Sequence, residues 1–293
     1  MKLIIGLFKL VFYMIKMVVQ TIIFLGLIGL CIFVYARYIE PELLIIHEEV
    51  IISETLSSDR KALKIAQFSD THLGEDYTLN NLKKTVVKIN ENTPDIIVFT
   101  GDLIDNNKEY EDAEAIIREL TALKAKLAKV AVYGNHDHGG NGTRRYKQIM
   151  ERSGFILLDN SSYIIDLGNN QKINIMGIDD LLLGSPDIKK ATQNINKAHY
   201  NVFISHAPDI ADEVKAYPID LQLSGHSHGG QVTIPFIGSP LTPPYAKKYI
   251  KGMYEIEGNT RMRLYVNSGL GTSQLKYRFL NIPEITVFKL EFK

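Results

Sequence analysis

The sequence is nearly free of cysteine, since Cys31 is the only one among 293 residues. One thiol cannot form an intrachain disulfide, and Cys31 lies inside an apolar segment, so the rest of the chain has neither a thiolate zinc cluster nor a cysteine nucleophile. An excess of charge is also lacking, because 33 basic residues balance 33 acidic ones. A nucleic-acid partner is therefore not expected, and any metal site would have to use His, Asp, Asn or Glu.

The first forty residues contain an apolar segment that favours a membrane anchor. From Met17 to Tyr35 the chain is uncharged, with Lys16 before this stretch and Arg37 after it. A helix of this length just spans the hydrocarbon core of a bilayer. A buried core helix and a cleaved signal peptide are the alternatives. Uncharged stretches of this length are uncommon in soluble domains, however, and no small-residue cleavage site follows this one.

Charges on the two sides of this segment indicate its orientation. Lys2, Lys9 and Lys16 lie on the N-terminal side, whereas Arg37 is followed by several glutamates. By the positive-inside rule, the chain would cross the cell membrane once, with its N-terminus in the cytoplasm and the residues beyond Arg37 outside.

After the anchor the chain alternates strands with helices. We expect an anchor over 1–37 with its transmembrane helix at about 17–35, a juxtamembrane segment with the first strand over 38–62, and a folded domain over 63–293. Apolar runs typical of strands include LKIAQF, DIIVF, KVAVY, YNVFIS and LYVNS, and helical patterns separate them at about 79–92, 109–127 and 188–197. The Pro- and Gly-rich stretch IPFIGSPLTPPYAKKY predicts a loop. The alternation indicates a layered α/β domain.

Polar residues collect where the predicted strands end. These turns contain Asp70, His72, Asp102, Asp105, Asn135, His136, Asp137, His206, His226 and His228. Each turn alone also fits a helix cap or a strand exit, but five of the eight histidines fall here. Imidazoles, carboxylates and one amide oxygen suit divalent manganese, iron or zinc. Because strand side chains alternate with a period of two, D-x-H at 70–72 and H-x-H at 226–228 would each place both side chains on one side of a strand end.

The order of these motifs resembles the calcineurin-like metallophosphoesterases. The match consists of D-x-H, G-D-x-x-D, G-N-H-D, a single His and G-H-x-H, and it covers the chain from about residue 63 to its end. The stretches GHSHGGQ and YVNSGLGTS are most similar to the membrane-anchored bacterial branch, which includes phosphodiesterases. The resemblance implies an αββα sandwich of two mixed sheets, with a dinuclear metal site on the loops at the strand ends.

The resemblance also implies a role for each motif residue. Three ligands would bind one metal: Asp70, His72 and His228. Three would bind the other: Asn135, His206 and His226. Asp102 would bridge the two metals, His136 would be the general acid, and Asp105 would hold the His136 ring. Asp137 would be structural, while His47, His138 and His199 match no ligand position, and His138 is expected to be a solvated loop residue.

This arrangement accounts for hydrolysis of a phosphoester. Two divalent cations, manganese being favoured over iron or zinc, would neutralise the phosphoryl oxygens and share a water whose pKa falls towards neutrality. The resulting hydroxide would attack phosphorus, and an imidazole near its ordinary pKa would protonate the leaving oxygen. The glycines around G-N-H-D would let the backbone approach the substrate closely.

The expected substrate is a membrane-proximal or lipid-linked phosphodiester of the cell envelope. Asn106 stands where the phosphoprotein-phosphatase branch carries an Arg that clamps phosphate, which argues against phosphoprotein substrates. Apolar loop residues, namely Phe236, Ile237, Leu241 and Tyr245, could enter the membrane interface or pack over the core. The alternatives are a phosphomonoesterase or protein phosphatase, and a non-catalytic, metal-stabilised binding protein of the envelope.

Overall fold

The first element is a long apolar helix at the N-terminus. The computed structural model describes residues 1–53, 55–56, 62–108, 110 and 112–292, with the exception of the side chains of residues 2 and 3. Helix α1 (Lys2–Val34) continues into a π-helical turn (Tyr35–Ile39) and a 3-10 turn (Glu40–Glu42). Its most apolar window has a mean hydropathy of 2.6 and is not buried, so the helix is long and apolar enough to cross a membrane. The expected transmembrane helix at about 17–35 coincides with the C-terminal half of α1 and the first residue of the π-helical turn, and α1 is continuous through Lys16.

A mixed sheet forms the first half of the folded domain. Its strands are β1 (Ile45–Ser53), β2 (Leu63–Phe68), β3 (Ile96–Phe99), β4 (Ala128–Ala131), β5 (Ile156–Leu157) and β12 (Glu284–Phe292). Their order is β1-β12-β2-β3-β4-β5. Strand β12 is antiparallel to β2, and all other neighbours are parallel.

A second mixed sheet packs against the first. Its strands are β6 (Ser161–Gly168), β7 (Gln171–Gly177), β8 (Tyr200–Ile204), β9 (Leu221–Ser224), β10 (Gly252–Glu257) and β11 (Arg261–Val266). Their order is β10-β11-β9-β8-β7-β6. The two edge pairs are antiparallel and the central strands are parallel.

Helices cover the outer faces of both sheets. Those against the first sheet are α2 (Leu79–Glu91), α3 (Ala113–Thr121) and α5 (Thr143–Arg152), and those against the second are α6 (Ile188–Ala191) and α7 (Ala211–Val214), whereas the short α4 (Asn135–His138) lies in the loop after β4. Between the sheets, Val98 of β3 and Val202 of β8 belong to one buried apolar cluster. On the outer face of the first sheet, Phe99 packs in a cluster with Leu82 of α2. Strand side chains alternate between the two faces, so each sheet is apolar on both sides, and the expected αββα sandwich is confirmed.

Several element boundaries differ from the sequence predictions. Helix α3 ends at Thr121 rather than near residue 127, because the backbone amide of Leu127 bonds to the carbonyl of Asp95 and leads into β4. Helix α6 ends at Ala191 rather than Lys197. Helix α5 and strand β10 were not predicted. Residue 109, the expected start of α3, lies outside the described residues.

The juxtamembrane turn packs tightly onto the folded domain. The buried carboxylate of Glu40 accepts hydrogen bonds from the backbone amides of Leu280 (2.9 Å) and Asn281. The carbonyl of Ala36 accepts from the amide of Arg278 at 2.9 Å. Strand β1 then joins the first sheet through β12. The three-part domain division stays a prediction, but residues 36–53 are structurally continuous with the fold.

Replacing Glu40 by Ala is expected to destabilise the fold by about 2–4 kcal/mol, because two backbone amides lose their acceptor in a buried position. Urea unfolding in detergent, followed by circular dichroism, measures this loss. Glu42→Ala is the matched control, since among the described residues the exposed Glu42 carboxylate accepts a hydrogen bond only from the Asn81 side chain, at 3.1 Å. This substitution should cost less than about 1 kcal/mol. Equal losses in the two variants would contradict the role given to Glu40.

Candidate metal centre

The predicted metal ligands converge at one edge of the sandwich. Asp70 and His72 follow β2, Asp102 follows β3, His206 follows β8, and both His226 and His228 follow β9. Asn135 begins the short helix α4 directly after β4. Because the central strands of each sheet are parallel, their carboxyl ends lie together. The two sheets therefore bring their strand-end loops to a common site.

The loops position these side chains by an unusual backbone conformation. Positive φ angles occur at Asp70 (50°), His72 (44°), Asp102 (61°), His226 (67°) and His228 (51°). Non-glycine residues rarely adopt this region, and such conformations cluster at functional sites. The strands end at Phe68 and Ser224, so the motif residues lie in loops and strand alternation does not align them. Asp70 and His72 nevertheless lie in one cluster, as expected of D-x-H. His226 and His228 in fact point into different clusters.

The first cluster contains Asp70, His72 and His228. One ligand atom from each side chain lies within 4.8 Å of the others. The Nε2 atoms of His72 and His228 are 3.1 Å apart, and Nε2 of His228 lies 3.5 Å from Oδ1 of Asp70. All three residues are buried. The arrangement is compact enough to hold one cation.

The second cluster contains Asp102, His206 and His226, again with ligand atoms within 4.8 Å of one another. Nε2 of His206 lies 3.2 Å from Oδ2 of Asp102 and 3.0 Å from Nδ1 of His226. Asn135 lines the same cavity, and its buried Oδ1 has no hydrogen-bond partner among the described residues. A buried amide oxygen without a partner is costly, and a cation would satisfy it.

Asp102 lies between the two clusters. Its Oδ2 atom is 3.4 Å from Nε2 of His72 and 3.2 Å from Nε2 of His206. The carboxylate therefore reaches ligand atoms of both groups. Its bridging role stays a prediction, and this geometry fits it.

The tautomers of His206 and His226 are also suited to binding a divalent metal. Nδ1 of His206 lies 2.7 Å from the carbonyl of Thr100, and Nε2 of His226 lies 2.9 Å from the carbonyl of Pro244. Each of these nitrogens donates its proton to a carbonyl oxygen. When both rings are neutral, the facing nitrogens present two lone pairs only 3.0 Å apart. Either a proton on Nε2 of His206 or a bound cation would relieve this repulsion. Metal-binding histidines usually donate their other ring N–H to a carbonyl or carboxylate oxygen, as both rings do here.

The electrostatics of the centre favour a protonated His206 beside an ionised Asp102. Burial lowers the pKa of His206, but the adjacent Asp102 carboxylate outweighs it and raises the pKa to about 10. Burial and the neighbouring His206 lower the pKa of His226 to about 3. Burial raises the pKa of Asp102, yet the surrounding histidines hold it well below its ordinary value. Without metal, the centre therefore carries a proton on His206 next to an ionised Asp102.

His136 lies beside the first cluster at the cavity wall. Its ring makes an edge contact with the His72 ring at a centroid distance of 4.5 Å. Nδ1 of His136 lies 2.8 Å from the backbone carbonyl of Asp105 but 3.6 Å from the Asp105 carboxylate. That carboxylate is nearer to Nδ1 of His72, at 3.3 Å. The His136 ring is thus held by the Asp105 backbone, which leaves Nε2 to exchange protons, while the role predicted for the carboxylate stays untested.

Asp137 ties two of the site loops together. Its carboxylate accepts hydrogen bonds from the backbone amides of Asp102 (2.8 Å), Leu103 (2.9 Å) and Gly134 (2.8 Å). A Cβ on Gly134 would lie 2.2 Å from Oδ1 of Asp102. This glycine therefore lets Asp102 approach, whereas the sequence reasoning had assigned the glycines here to contact with substrate.

His138 is not the solvated loop residue that was expected. Its Nε2 lies 2.7 Å from Oδ1 of Asp179, its Nδ1 lies 2.9 Å from the Thr143 hydroxyl, and only 11% of its side chain is exposed. Its ring also packs on Tyr133 at a centroid distance of 4.6 Å. The partner Asp179 follows β7, so this pair joins the two sheets.

The clusters line one cavity of about 380 Å³. Its lining includes Asp102, Asn135, His136, His226 and His228, together with two loop segments, 241–244 and 273–275, in which Leu241, Pro243, Pro244 and Leu275 stand beside the polar Thr242, Ser273 and Gln274. The cavity therefore offers both polar and apolar contacts to a ligand.

A family model for the calcineurin-like phosphoesterases matches residues 63–230, more than half of the chain. This protein is a calcineurin-like phosphoesterase. Membership makes it a metal-dependent phosphoester hydrolase, which favours the enzyme over the binding-protein alternative. The family and the His/Asp clusters together indicate a dinuclear site for divalent metals.

The chain is similar to several known proteins. The uncharacterized metallophosphoesterase YkuE of Bacillus subtilis is 45% identical over 88% of this chain and 89% of its own. The UDP-2,3-diacylglucosamine pyrophosphatase LpxG of Chlamydia muridarum is 28% identical over 87% of this chain and 92% of its own. The crystal structure of TT1561 of Thermus thermophilus aligns with a TM-score of 0.45 at 15% identity, covering 71% of this chain and 90% of that one.

Three residues of the phosphoesterase site were missed by the sequence reasoning. The fully buried Arg278 guanidinium donates to the carbonyls of Ser268, Gly271 and Asn281, and so holds the NSGLG loop. The amide of Gly271 in turn bonds to the carbonyl of Asp70 at 2.7 Å. The Asn281 side chain donates to the carbonyl of His228, and Asp179 pairs with His138 as described above. The late NSGLG stretch was the only signal, since an isolated Arg or Asn carries no motif.

Metal affinity is expected to rise steeply with pH. Protonated His206 stabilises the metal-free protein. Because the pKa of His206 is raised in the folded state, this stabilisation is fully present below about pH 6.5 and is lost as the pH rises through about 10. Metal binding to Nε2 must displace this proton, so affinity should rise about tenfold per unit between about pH 6 and 8. Calorimetry in two buffers of different ionisation enthalpy measures the protons released.

The control for this titration is His47→Gln, because His47 lies on the edge strand β1 and bonds to Glu49. This variant should keep the same pH slope. A wild-type affinity that does not change over this range would contradict the assignment of His206 as the protonated ligand.

Proposed function

We propose that this protein hydrolyses the phosphodiester or diphosphate bond of a lipid-linked substrate at the cell membrane. The observation that carries the proposal is the pair of His/Asp clusters, with Asp102 in contact with His72 of one and His206 of the other, beside a cavity that has both polar and apolar lining. The relative LpxG is a pyrophosphatase of UDP-2,3-diacylglucosamine, an acylated sugar nucleotide. Its substrate combines an apolar portion with a phosphoric anhydride, which is the combination that this cavity would accommodate.

The proposed roles of the residues follow from their positions. Seven residues would hold two divalent cations: Asp70, His72, Asp102, Asn135, His206, His226 and His228. Bound there, the cations would neutralise phosphoryl oxygens and lower the pKa of a water. His136 would donate its Nε2 proton to the leaving oxygen. Burial lowers its pKa, but Asp102 and the Asp105 carbonyl outweigh this and raise it above the ordinary value, so the ring carries a proton to give near neutral pH.

Preference for a diester over a monoester is supported by the charge of the cavity. The described residues that line it include neither Lys nor Arg. A monoester dianion would gain more than a diester monoanion from an additional cationic clamp. Asn106, at the position of the phosphatase Arg, is exposed and its Oδ1 accepts from the Lys108 amide at 3.1 Å. A phosphoprotein substrate would therefore lack its usual clamp.

The proposed location is the cell membrane, with the N-terminus in the cytoplasm and the catalytic domain outside. Helix α1 has the length and the hydropathy of a membrane span. Lys9 and Lys16 lie in its N-terminal half, and Glu40 and Glu42 follow its C-terminal end. This asymmetry supports the orientation by the positive-inside rule.

Replacing Asp102 by Asn should abolish metal binding and hydrolysis together, because both clusters lose a shared negative ligand. Metal content by mass spectrometry and cleavage of a chromogenic diester measure the two losses. Asp166→Asn is the control, since this exposed carboxylate lies on β6 and bonds to Gly168. Near-wild-type turnover in Asp102→Asn would contradict the proposal that Asp102 is a ligand of both metals.

Replacing His136 by Ala should leave both metals bound and slow hydrolysis by about 10² to 10⁴, because the leaving oxygen loses its proton donor. The loss should be large for an alkyl leaving group and small for nitrophenolate, which needs no proton. A uniform loss across leaving groups would assign His136 to substrate binding instead. Metal content measured on the same preparation separates either result from a damaged metal centre.

A further inference from the structure

Large apolar side chains project into solvent from the loop between β9 and β10. The exposed fractions are 109% for Phe236, 74% for Ile237 and 65% for Leu241. Ile234 and Gly238 exchange backbone hydrogen bonds of 2.9 Å in both directions, so the residues between them form a tight turn. We call residues 234–241 the apolar tip. They do not pack over the core, which was one of the two expectations from the sequence.

The apolar tip is fastened to the catalytic loops. The Ser239 hydroxyl donates to the carbonyl of Gly229, directly after His228, at 3.1 Å. The amide of Thr233 bonds to the carbonyl of Phe279 at 2.9 Å. The loop that contains Phe279 has two further exposed apolar residues, Leu275 (41%) and Leu280 (51%). The tip and the 275–280 loop therefore form one surface of exposed apolar side chains, which also includes the half-exposed Lys276.

Helix α1 reaches the domain at this same surface. The Phe33 ring contacts the Tyr277 ring at a centroid distance of 5.8 Å, and Tyr35 contacts Phe279 at 6.4 Å. The bonds from Arg278 to Ala36 and from Leu280 to Glu40 fix the end of the helix to the loop. A bilayer crossed by α1 would thus end beside Phe279 and next to the tip.

The mouth of the catalytic cavity lies within this surface. Leu241 of the tip and Leu275 of the neighbouring loop both line the cavity that contains Asp102 and His136. An amphiphile could therefore keep its apolar chain among these side chains while its phosphoryl group reaches the metal ligands. Interfacial segments typically enter a bilayer by about 5–10 Å, which is a depth that a short turn such as the tip can reach.

We propose that the apolar tip and the 275–280 loop insert into the surface of the membrane that α1 spans, so that the catalytic cavity opens at the bilayer interface. The occupant of this surface is the lipid bilayer, because α1, an element suited to cross a membrane, ends on it. The inference rests on the anchoring part of the proposed function and is independent of the reaction. It predicts substrates that are presented from the bilayer.

The test uses the full chain in phosphatidylcholine–phosphatidylglycerol nanodiscs, with a fluorescent probe on a single cysteine. Cys31 is exposed on α1 and reports the anchor in the wild-type protein. In a Cys31→Ser background, Phe236→Cys reports the tip, and Ile237→Cys is an independent second position. Leu127→Cys is the matched control, because Leu127 is an exposed apolar residue (37%) at the opposite end of β4 from Asn135.

Lipids with a nitroxide near the headgroup should quench the tip probes and the Cys31 probe by about half or more, at the depth expected of interfacial insertion. The Leu127→Cys probe should be unaffected. Quenching at Cys31 without quenching at the tip would overturn the insertion while leaving the anchor intact. A tip probe shielded from aqueous iodide but not quenched by lipid would also overturn it, in favour of a second protein chain on this surface. Because no readout uses hydrolysis, failure here is distinct from failure of the proposed reaction.

Discussion

The contact of one carboxylate, Asp102, with imidazole nitrogens from two histidine clusters is the interaction on which the site depends. Its Oδ2 atom lies within 3.4 Å of His72 and 3.2 Å of His206. A buried carboxylate in this position lowers the energy of positive charge nearby, whether that charge is a proton on His206 or a pair of divalent cations. The remaining site residues are arranged around it, and the loops that carry them are held in a strained conformation to reach it.

The fold keeps Asp102 in place through short, buried contacts. Asp137 accepts backbone amides from both site loops, Gly134 leaves room for the Asp102 oxygen, and the amide of His136 donates to that oxygen at 2.8 Å. Burial, with Asp102 close by, raises the pKa of Asp137 to about 7. Its three amide bonds act in the opposite direction and favour the ionised form. Strands β3 and β4 lie side by side, so the rigid first sheet sets the separation of these loops.

Motif order and strand–helix alternation predicted the αββα fold. They also predicted which residues meet at one edge, because parallel strands place their carboxyl ends together. The local backbone conformation was harder to predict from sequence. The two histidines of H-x-H point in different directions because positive φ angles replace strand alternation. Long-range partners were not predictable either. Asp179 is 41 residues from His138, and Glu40 is 241 residues from Asn281, so no local pattern connects them. The roles of the ligand residues and of Asp105 stay predictions.

The central claim, that two bound metals at this centre hydrolyse a phosphodiester, is tested most directly by reconstitution. The full chain would be stripped of metal and titrated with manganese, iron, zinc or magnesium, while bound metal and cleavage of a chromogenic diester and its monoester are followed together. The account predicts that diester cleavage appears as the second metal binds and exceeds monoester cleavage. Two bound metals with no cleavage of either ester would contradict it.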